Sequence, residues 1–280
     1  MLLEFDADQR LWQETVRDAV SKQCPASLIR DIAENGVDPT PLWNSYVEAG
    51  WTELTDQENA VELAIVLEEL GRSTDPTPLL ATAVGAAGGV CRVDAARVTP
   101  RRVDIFDPVL HVAEVSFPGV HVADTERLAV DTERAHHVAL MGMAITMVGA
   151  CQRVLDLALE HAKSRQQFGV AIGTFQAIQH KAADMHVAIE RARALSYFAA
   201  LTIAADDPRR RLAAAMAKAS AGECQALVFR QGIQTFGAMG FTWENDLQFA
   251  LKRAKAGELM LGGAAEHRAM IAEEFNAADL

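Results

Sequence analysis

Three short segments of the 280-residue chain combine charged or amide side chains with glycine. The first runs from Ser164 to Gly169, with the sequence SRQQFG, and places a guanidinium and two amides before a new helical pattern. Backbone N–H groups at a helix N-terminus together with an arginine suit a phosphate or diphosphate group. On spacing alone, an ordinary turn between helices with a solvated arginine is the other interpretation.

The second and third segments are rich in glycine. Gln234 to Thr242 reads QTFGAMGFT, and its glycines three residues apart allow close backbone approach, although glycine most often marks the end of a helix. Leu259 to Arg268 reads LMLGGAAEHR, where two glycines between helical patterns leave room for a bulky group or simply form a turn. Neither segment is specific when taken alone.

The elements that must position these segments are long helices. An apolar stripe runs from Met147 to Leu159, and a second from Ile178 to Ala192 repeats in steps of three and four residues. An alanine-rich helix is expected from Leu212 to Gln234, followed by shorter helices from Asp246 to Met260 and up to Glu274. We therefore predict a C-terminal bundle of about four main helices.

The N-terminal part predicts three helical stretches. The first lies around Leu11 to Val20, the second begins at Pro41, and the third runs from Asn59 to Leu70. Between Asp75 and Pro118 lie five of the nine prolines, and short alternating apolar pieces there predict short strands or extended loops. The predicted units are an N-terminal helical domain at 1–75, a reduced middle segment at 76–124 and a C-terminal helical bundle at 125–280.

Composition argues against several classes of protein. Lys and Arg total 26 against 38 Asp and Glu, a formal net charge of −12, so the chain lacks the basic surface that nucleic-acid binding requires. We identify Leu79 to Cys91, about 13 residues, as the longest nearly uncharged run, whereas a membrane-spanning helix needs roughly 20 residues. The N-terminus has no signal-peptide pattern. Scattered cysteines predict neither disulfides nor a metal site: Cys24, Cys91, Cys151 and Cys224. We expect a cytoplasmic protein without a nucleic-acid, membrane or metal partner.

Taken in order on these helices, the three segments resemble the acyl-CoA dehydrogenase family. The most specific part is the Arg-x-x-Phe-Gly…Phe-Gln…Asp-Met pattern from Arg165 to Met185. The second is Gln-x-x-Gly-x-x-Gly-Phe-Thr, from Gln234 to Thr242, followed by RAK at residues 253–255. The resemblance covers about residues 5–75 and 115–275.

The resemblance implies a flavoprotein that oxidises an acyl-CoA thioester to the 2,3-enoyl-CoA. In this family a carboxylate removes the α proton while the β hydride passes to the flavin, and the ADP end of FAD reaches the neighbouring subunit across a dimer interface. An arginine and a glutamine contact the ADP end there, and they match Arg165 and Gln234. The resemblance thus implies FAD as cofactor and these cofactor-binding positions: Arg165, Gln167, Phe168, Phe175, Gln176, Gln234, Gly237 and Gly240.

Two departures from the family pattern shape the functional hypothesis. About 45 positions between Pro78 and Ala123 are too few for the family's middle β domain. We therefore expect a mainly α, acyl-CoA dehydrogenase-like fold with that domain largely missing. The catalytic carboxylate is missing as well: one branch places it where this chain has Leu261 or Gly262, and another where it has Ala139. Since none of these side chains accepts a proton, no catalytic residue is assigned.

Two other acids lie near the glycine pair. Glu258 is one helical turn before Gly262 and Glu266 is four residues after it, so either is an alternative base if its helix directs it inward. Glutamates at helix ends are usually solvated, which argues against both. The single Glu133-x-x-His136 pattern does not make a di-iron site, because that site needs further ligands.

The missing β domain and the missing catalytic carboxylate together favour a subunit of a heteromeric acyl-CoA dehydrogenase. We predict that a full-length partner supplies the base, the β domain and most of the acyl-CoA site in an α2β2 assembly, whereas this chain contacts the partner's FAD. The family includes heteromeric actinobacterial members that act on steroid side-chain CoA thioesters, which extends the expectation to steroid degradation. Two alternatives stay open: a stand-alone homo-oligomeric acyl-CoA dehydrogenase with a relocated base, and a structural helical protein without flavin.

Overall fold

The computed structural model describes residues 4–88, 93–126 and 131–275, and it is mainly helical over these ranges. Its helices are α1 (Ala7–Gln23), α2 (Ala26–Asn35), α3 (Thr40–Glu48), α4 (Ala60–Arg72), α5 (Leu79–Gly88), α6 (Thr132–Ser164), α7 (Gln176–Ala204), α8 (Arg210–Phe236), α9 (Leu247–Leu259) and α10 (Ala264–Glu274). Two antiparallel pairs of strands accompany them: β1 (Thr99–Val103) with β2 (Val112–Ser116), and β3 (Gln166–Gln167) with β4 (Val170–Ala171).

The C-terminal bundle confirms the predicted helices. The apolar stripe of α6 is buried over most of its length, and Met185, Ile189 and Ala192 of α7 are buried against it. Helix α8 is rich in alanine and packs between α6, α7 and α10. A Cβ atom at Gly232 of α8 would lie 2.6 Å from the Val154 side chain, so this glycine sets the close approach of α8 to α6.

The N-terminal helices α1, α3 and α4 correspond to the three predicted stretches. Helix α2 was missed, although its apolar residues Leu28, Ile29, Ile32 and Ala33 follow helical spacing, and Ile29 and Ile32 are buried. Helix α4 packs with its backbone against α6. A Cβ atom at Gly71 would lie 2.1 Å from the carbonyl oxygen of Thr146, and one at Gly149 would lie 2.0 Å from the carbonyl oxygen of Glu68.

The prediction for the proline-rich region was wrong at its start, where the chain forms helix α5 instead of strands or loops. The carbonyl oxygen of Pro78 accepts the N–H of Thr82 at 2.8 Å, so the prolines precede the helix and do not interrupt it. Leu79 and Ala83 are buried, and α5 packs on α6. Further on, β1 and β2 form one small ribbon, which is all that the structure describes of a middle β domain.

The identification of Leu79 to Cys91 as the longest nearly uncharged run was wrong, because helix α6 contains a longer one. Residues 135–152 contain no Asp, Glu, Lys or Arg, which makes this run longer than Leu79 to Cys91. Within the described ranges α6 is the one helix long and apolar enough to cross a membrane, with a mean hydropathy of 1.6 in its most apolar window. However, 78% of that window is buried inside the protein, so its composition is explained by its place at the centre of the bundle.

Candidate functional site

The first two predicted segments lie at the same end of the bundle. Helix α6 ends at Ser164, directly before Arg165, and helix α8 ends at Phe236. The imidazole of His161, in the last turn of α6, stacks on the ring of Phe236 with a centroid distance of 4.3 Å. Lys181 of α7 donates to the side chain of Gln231 of α8 at 2.8 Å. The fold therefore brings together two motifs that are separated in the sequence by about one complete helical hairpin, α7 and α8.

A tight hairpin presents the first segment to solvent. In the β3–β4 pair, Gln166 lies opposite Ala171, and the two turn residues Phe168 and Gly169 have φ values of +55° and +82°. Positive φ at both positions is typical of a two-residue hairpin turn, but it is unfavourable for a phenylalanine. Phe168 is nevertheless 92% exposed, with its ring edge-on to Phe175 at 6.2 Å. A strained and exposed aromatic residue favours a contact with another molecule.

Most of the predicted cofactor-binding positions share this exposed end. The exposed ones are Arg165, Gln167, Phe168, Phe175, Gln176, Gln234 and Gly237. Gly240 differs because it is buried, and a Cβ atom there would lie 3.1 Å from the carbonyl oxygen of Ile233. Gly240 therefore allows the turn after α8 to close tightly.

The donors at this end suit the diphosphate of a dinucleotide. Helix α7 begins after Phe175 without a side-chain cap, which leaves its first backbone N–H groups available for an anion. Arg165 is exposed at the same end of the bundle. Burial and the Arg165 cation lower the pKa of His161, so the neighbouring imidazole stays neutral at pH 7. One cation, exposed side-chain amides and an uncapped helix suit the ADP end of FAD.

A second candidate site is a cavity of about 630 Å³ between the N-terminal helices, the middle segment and the bundle. Its lining is mainly apolar and includes Trp43, Leu80, Val84, Val112 and Met143. Ala139, the carboxylate position of one family branch, and Leu261, one of the two candidate positions of the other branch, both line this cavity. The described lining residues include no carboxylate, so no aspartate or glutamate among them can accept a proton there.

His111 lines the same cavity and was not selected from the sequence. Burial and the nearby Arg102 lower the pKa of its imidazole, which favours the neutral form at pH 7. A single histidine in a region of low periodicity gave no sequence signal. Only the packing of the middle segment against the N-terminal helices shows that it faces the cavity.

The two alternative acids, Glu258 and Glu266, are not among the residues that line the cavity. Glu258 accepts the first backbone N–H of α10 at 3.1 Å, and Glu266 accepts the N–H of Gly263 at 3.2 Å. The buried Lys218 donates to the carbonyl oxygen of Gly262 at 2.6 Å, and burial lowers its pKa despite the two nearby carboxylates. These side chains fix the turn between α9 and α10, which directs Leu261 to the cavity.

Residues 130–275, just over half of the chain, match the family model of the acyl-CoA dehydrogenase C-terminal domain. The chain belongs to the acyl-CoA dehydrogenase family. Acyl-CoA dehydrogenase IpdE2 of Mycolicibacterium smegmatis is 29% identical over 318 aligned positions, which cover 96% of this chain and 99% of that protein. Membership of this family places the chain among flavin-dependent oxidoreductases.

Two solved structures share the fold of this acyl-CoA dehydrogenase chain. A variant of the Tcur3481–Tcur3483 steroid ACAD aligns with a TM-score of 0.82 and 18% identity, over 97% of this chain and 98% of that one. The ChsE4–ChsE5 complex from Mycobacterium tuberculosis aligns with a TM-score of 0.77 and 17% identity, over 99% of each chain. The predicted fold class is confirmed: an N-terminal helical domain and a C-terminal bundle, with the middle β domain largely missing.

Potential metal ligands and thiols are the other chemically reactive side chains of the described residues. The part of the chain that the structure describes contains no group of three or more His, Cys, Asp or Glu side chains able to hold a metal ion. Cys24, Cys151 and Cys224 are buried free thiols, and burial raises the pKa of Cys24. Cys91 lies outside the described residues.

Proposed function

We propose that this chain is the non-catalytic subunit of a heteromeric, FAD-dependent acyl-CoA dehydrogenase that converts acyl-CoA to 2,3-enoyl-CoA. The observation that carries the proposal is that Ala139 and Leu261 meet on one cavity whose described lining has no carboxylate. A general base must lie within hydrogen-bond reach of the proton that it removes. In this proposal a full-length partner supplies the catalytic glutamate, the β domain and most of the acyl-CoA site.

The contribution of this chain is contact with FAD at the exposed end of the bundle. When bound, FAD accepts the hydride of the oxidation. Arg165 and the first N–H groups of α7 would hold its diphosphate, and Gln234 would hydrogen-bond to the ADP end. The proposed contact surface comprises the exposed positions Arg165, Gln167, Phe168, Phe175, Gln176, Gln234 and Gly237, whereas the buried Gly240 shapes the turn after α8.

Exposed apolar side chains support a partner at this end. Phe168 is 92% exposed, Phe241 78% and Met239 51%, and all three follow the C-termini of α6 or α8. Large apolar side chains that are this exposed at one end of a folded protein are consistent with an interaction surface. An α2β2 arrangement with two-fold symmetry would cover them.

The two-component names of the similar solved structures support a heteromer, and the steroid named in one supports a steroid side-chain CoA thioester as substrate.

The stoichiometry of the flavin tests this proposal. The chain is co-expressed with a full-length acyl-CoA dehydrogenase encoded beside it, and flavin absorbance is measured per tetramer. Two FAD per four chains support the subunit role, because each FAD then needs one chain of each kind. Four FAD per tetramer, or no complex at all, contradict it.

His111 favours one specific alternative, a stand-alone enzyme with a relocated base. A neutral imidazole on the cavity wall is able to accept a proton. This alternative predicts a yellow protein that oxidises acyl-CoA in the absence of any partner, with activity lost in His111→Ala. A colourless and inactive protein rejects the alternative.

A further inference from the structure

We propose that His161 is a positioning residue for the contact between this chain and FAD. Its imidazole joins the end of α6, which is followed by Arg165, to the end of α8, which carries Gln234. The inference rests on the proposed function and deepens it. His161 is not one of the predicted cofactor-binding positions, and it acts on FAD through the two residues that it positions.

His161 contacts both sides of this junction. Its carbonyl oxygen accepts the backbone N–H of Arg165 at 2.8 Å, which closes the last turn of α6. Its ring lies on the ring of Phe236 with a centroid distance of 4.3 Å and an interplanar angle of 16°, so the two rings are stacked. One residue therefore holds the backbone that enters the β3–β4 hairpin and also contacts the last residue of α8.

Phe236 extends the effect of the stack to Gln234. Its side chain packs against the hydrophobic core, and Gly237 follows with a φ of +62°, so α8 ends at Phe236. Gln234 lies two residues earlier in the same last turn, and its side chain is exposed. Because the last turns of helices fray unless they are held, the stack restrains the ends of α6 and α8 together.

A neutral aromatic ring suits a place beside a cation. Burial and the Arg165 cation lower the pKa of His161, so the imidazole is uncharged at pH 7. It therefore stacks on Phe236 without repelling the guanidinium, which stays available for the diphosphate. Stacking is the property that this position uses, so phenylalanine should replace the histidine.

Other contacts keep this end of the bundle folded when the stack is lost. Lys181 of α7 donates to the side chain of Gln231 at 2.8 Å, one turn before Gln234 on α8. Helix α6 is buried over most of its length. We therefore expect His161→Ala to loosen the junction between the two helix ends while the chain still folds.

Hydrogen exchange of the full chain tests the positioning. In His161→Ala, the backbone amides of residues 165–169 and 234–241 should exchange about two- to tenfold faster, the range expected for loss of one aromatic pair. His161→Phe keeps a stacked ring and should restore the wild-type rates. His186→Ala is the matched control, because His186 is exposed further along α7, where it lies 3.8 Å from Glu190.

Retention of FAD in the complex with a full-length partner tests the cofactor role. His161→Ala should weaken FAD about two- to tenfold, whereas His161→Phe and His186→Ala should keep the wild-type affinity. In a chain that already carries Arg165→Ala, His161→Ala should cause a smaller further loss, because a positioning residue acts through the group that it positions. A merely structural role would give the same loss in both backgrounds.

Three outcomes contradict this assignment. One is wild-type exchange in both segments of His161→Ala. Another is His161→Phe that behaves like His161→Ala, because stacking would then not be the property that matters. The third is an equal loss of FAD affinity with and without Arg165. A wild-type complex that binds no FAD overturns the proposed function instead, and exchange in the full chain still decides whether the stack joins the two helix ends.

Discussion

Arg253 of helix α9 and Asp107 of the middle segment form a buried ion pair, with 2.6 Å between Nε and Oδ2. The remaining guanidinium nitrogens donate to the carbonyl oxygens of Asp75, at 2.6 Å, and Thr74, at 3.2 Å, just after helix α4. One side chain of the bundle therefore joins the N-terminal helices to the middle segment. The walls of the cavity come from the same three parts, so their relative positions depend on this guanidinium.

Loss of this guanidinium should be strongly destabilising. Arg253→Gln leaves the carboxylate of Asp107 buried without its cation, which costs about 3–5 kcal/mol in comparable pairs. Urea unfolding measures the change, and hydrogen exchange should become faster in β1 and β2. The control is Arg101→Gln, because Arg101 pairs with Glu114 on the surface and such pairs contribute about 0–1 kcal/mol. Equal losses in the two variants would contradict a special role for Arg253.

Glycine in helix α6 should be indispensable where α4 crosses it. Gly149→Ala places a methyl group 2.0 Å from the carbonyl oxygen of Glu68, so the two helices must separate. We expect a loss of at least about 1–3 kcal/mol in the free energy of unfolding. Gly85→Ala, in the open space on α5, should be neutral or stabilising by up to about 1 kcal/mol. A tolerated Gly149→Ala would mean that the close contact is wrong.

Arg165 should control the retention of FAD. We expect Arg165→Ala, in the complex with a full-length partner, to weaken FAD at least about tenfold, because a charge-assisted contact to phosphate contributes roughly 1.5–3 kcal/mol. The measurement is the concentration dependence of FAD release on dilution. Arg211→Ala is the control, since Arg211 lies at the other end of α8, where it pairs with Glu274. Unchanged retention in Arg165→Ala would favour the structural protein without flavin.

Acid should destabilise the protein in part through His137. Burial lowers the pKa of this imidazole, despite Glu133 at 4.0 Å, so the folded state binds a proton less readily than the unfolded state. Stability is therefore lost as pH falls below the unfolded value of about 6.5, and the loss stops growing below the folded pKa.

His137→Gln removes this proton uptake. The plot of unfolding free energy against pH between 7 and 5 should become flatter, by at most about 1.4 kcal/mol per pH unit for one proton. Glu133→Gln is the comparison variant: it removes the carboxylate that partly offsets the lowered pKa of His137, so its slope should be at least as steep as that of the wild type. An unchanged slope in His137→Gln would show that this histidine takes up no extra proton on unfolding.

Local periodicity predicted most of the helices, and it failed at α5. The stripes of α6 and α7 extend over many turns, so the spacing of apolar residues was sufficient for them. Helix α2, although it was missed, also has regular helical spacing at Leu28, Ile29 and Ile32, so the sequence was sufficient for it as well. Helix α5 lies among prolines and glycines, and only the packing of Leu79 and Ala83 on α6 fixes it as a helix. Tertiary contacts thus decide elements whose own pattern is weak.

Distances between predicted site residues could not be read from the sequence. The motifs at Arg165 and Gln234 were found by residue type, and the stacking of His161 on Phe236 shows that the fold brings them to one end of the bundle. Gly240 was predicted to touch the cofactor, whereas the fold buries it in the turn after α8. Exposure is a property of the packed chain, and the type of residue does not determine it.

By itself, the sequence determined a helical chain that has the family motifs and that has Ala and Leu where a carboxylate is expected. Residue types and the local spacing of apolar residues are properties of the sequence, so no tertiary structure was needed for these conclusions. Only the tertiary structure decided that Ala139 and Leu261 face one cavity, that His111 and Trp43 join them, and that Glu258 caps α10 instead. Such contacts join residues far apart in sequence, and they depend on how the helices pack.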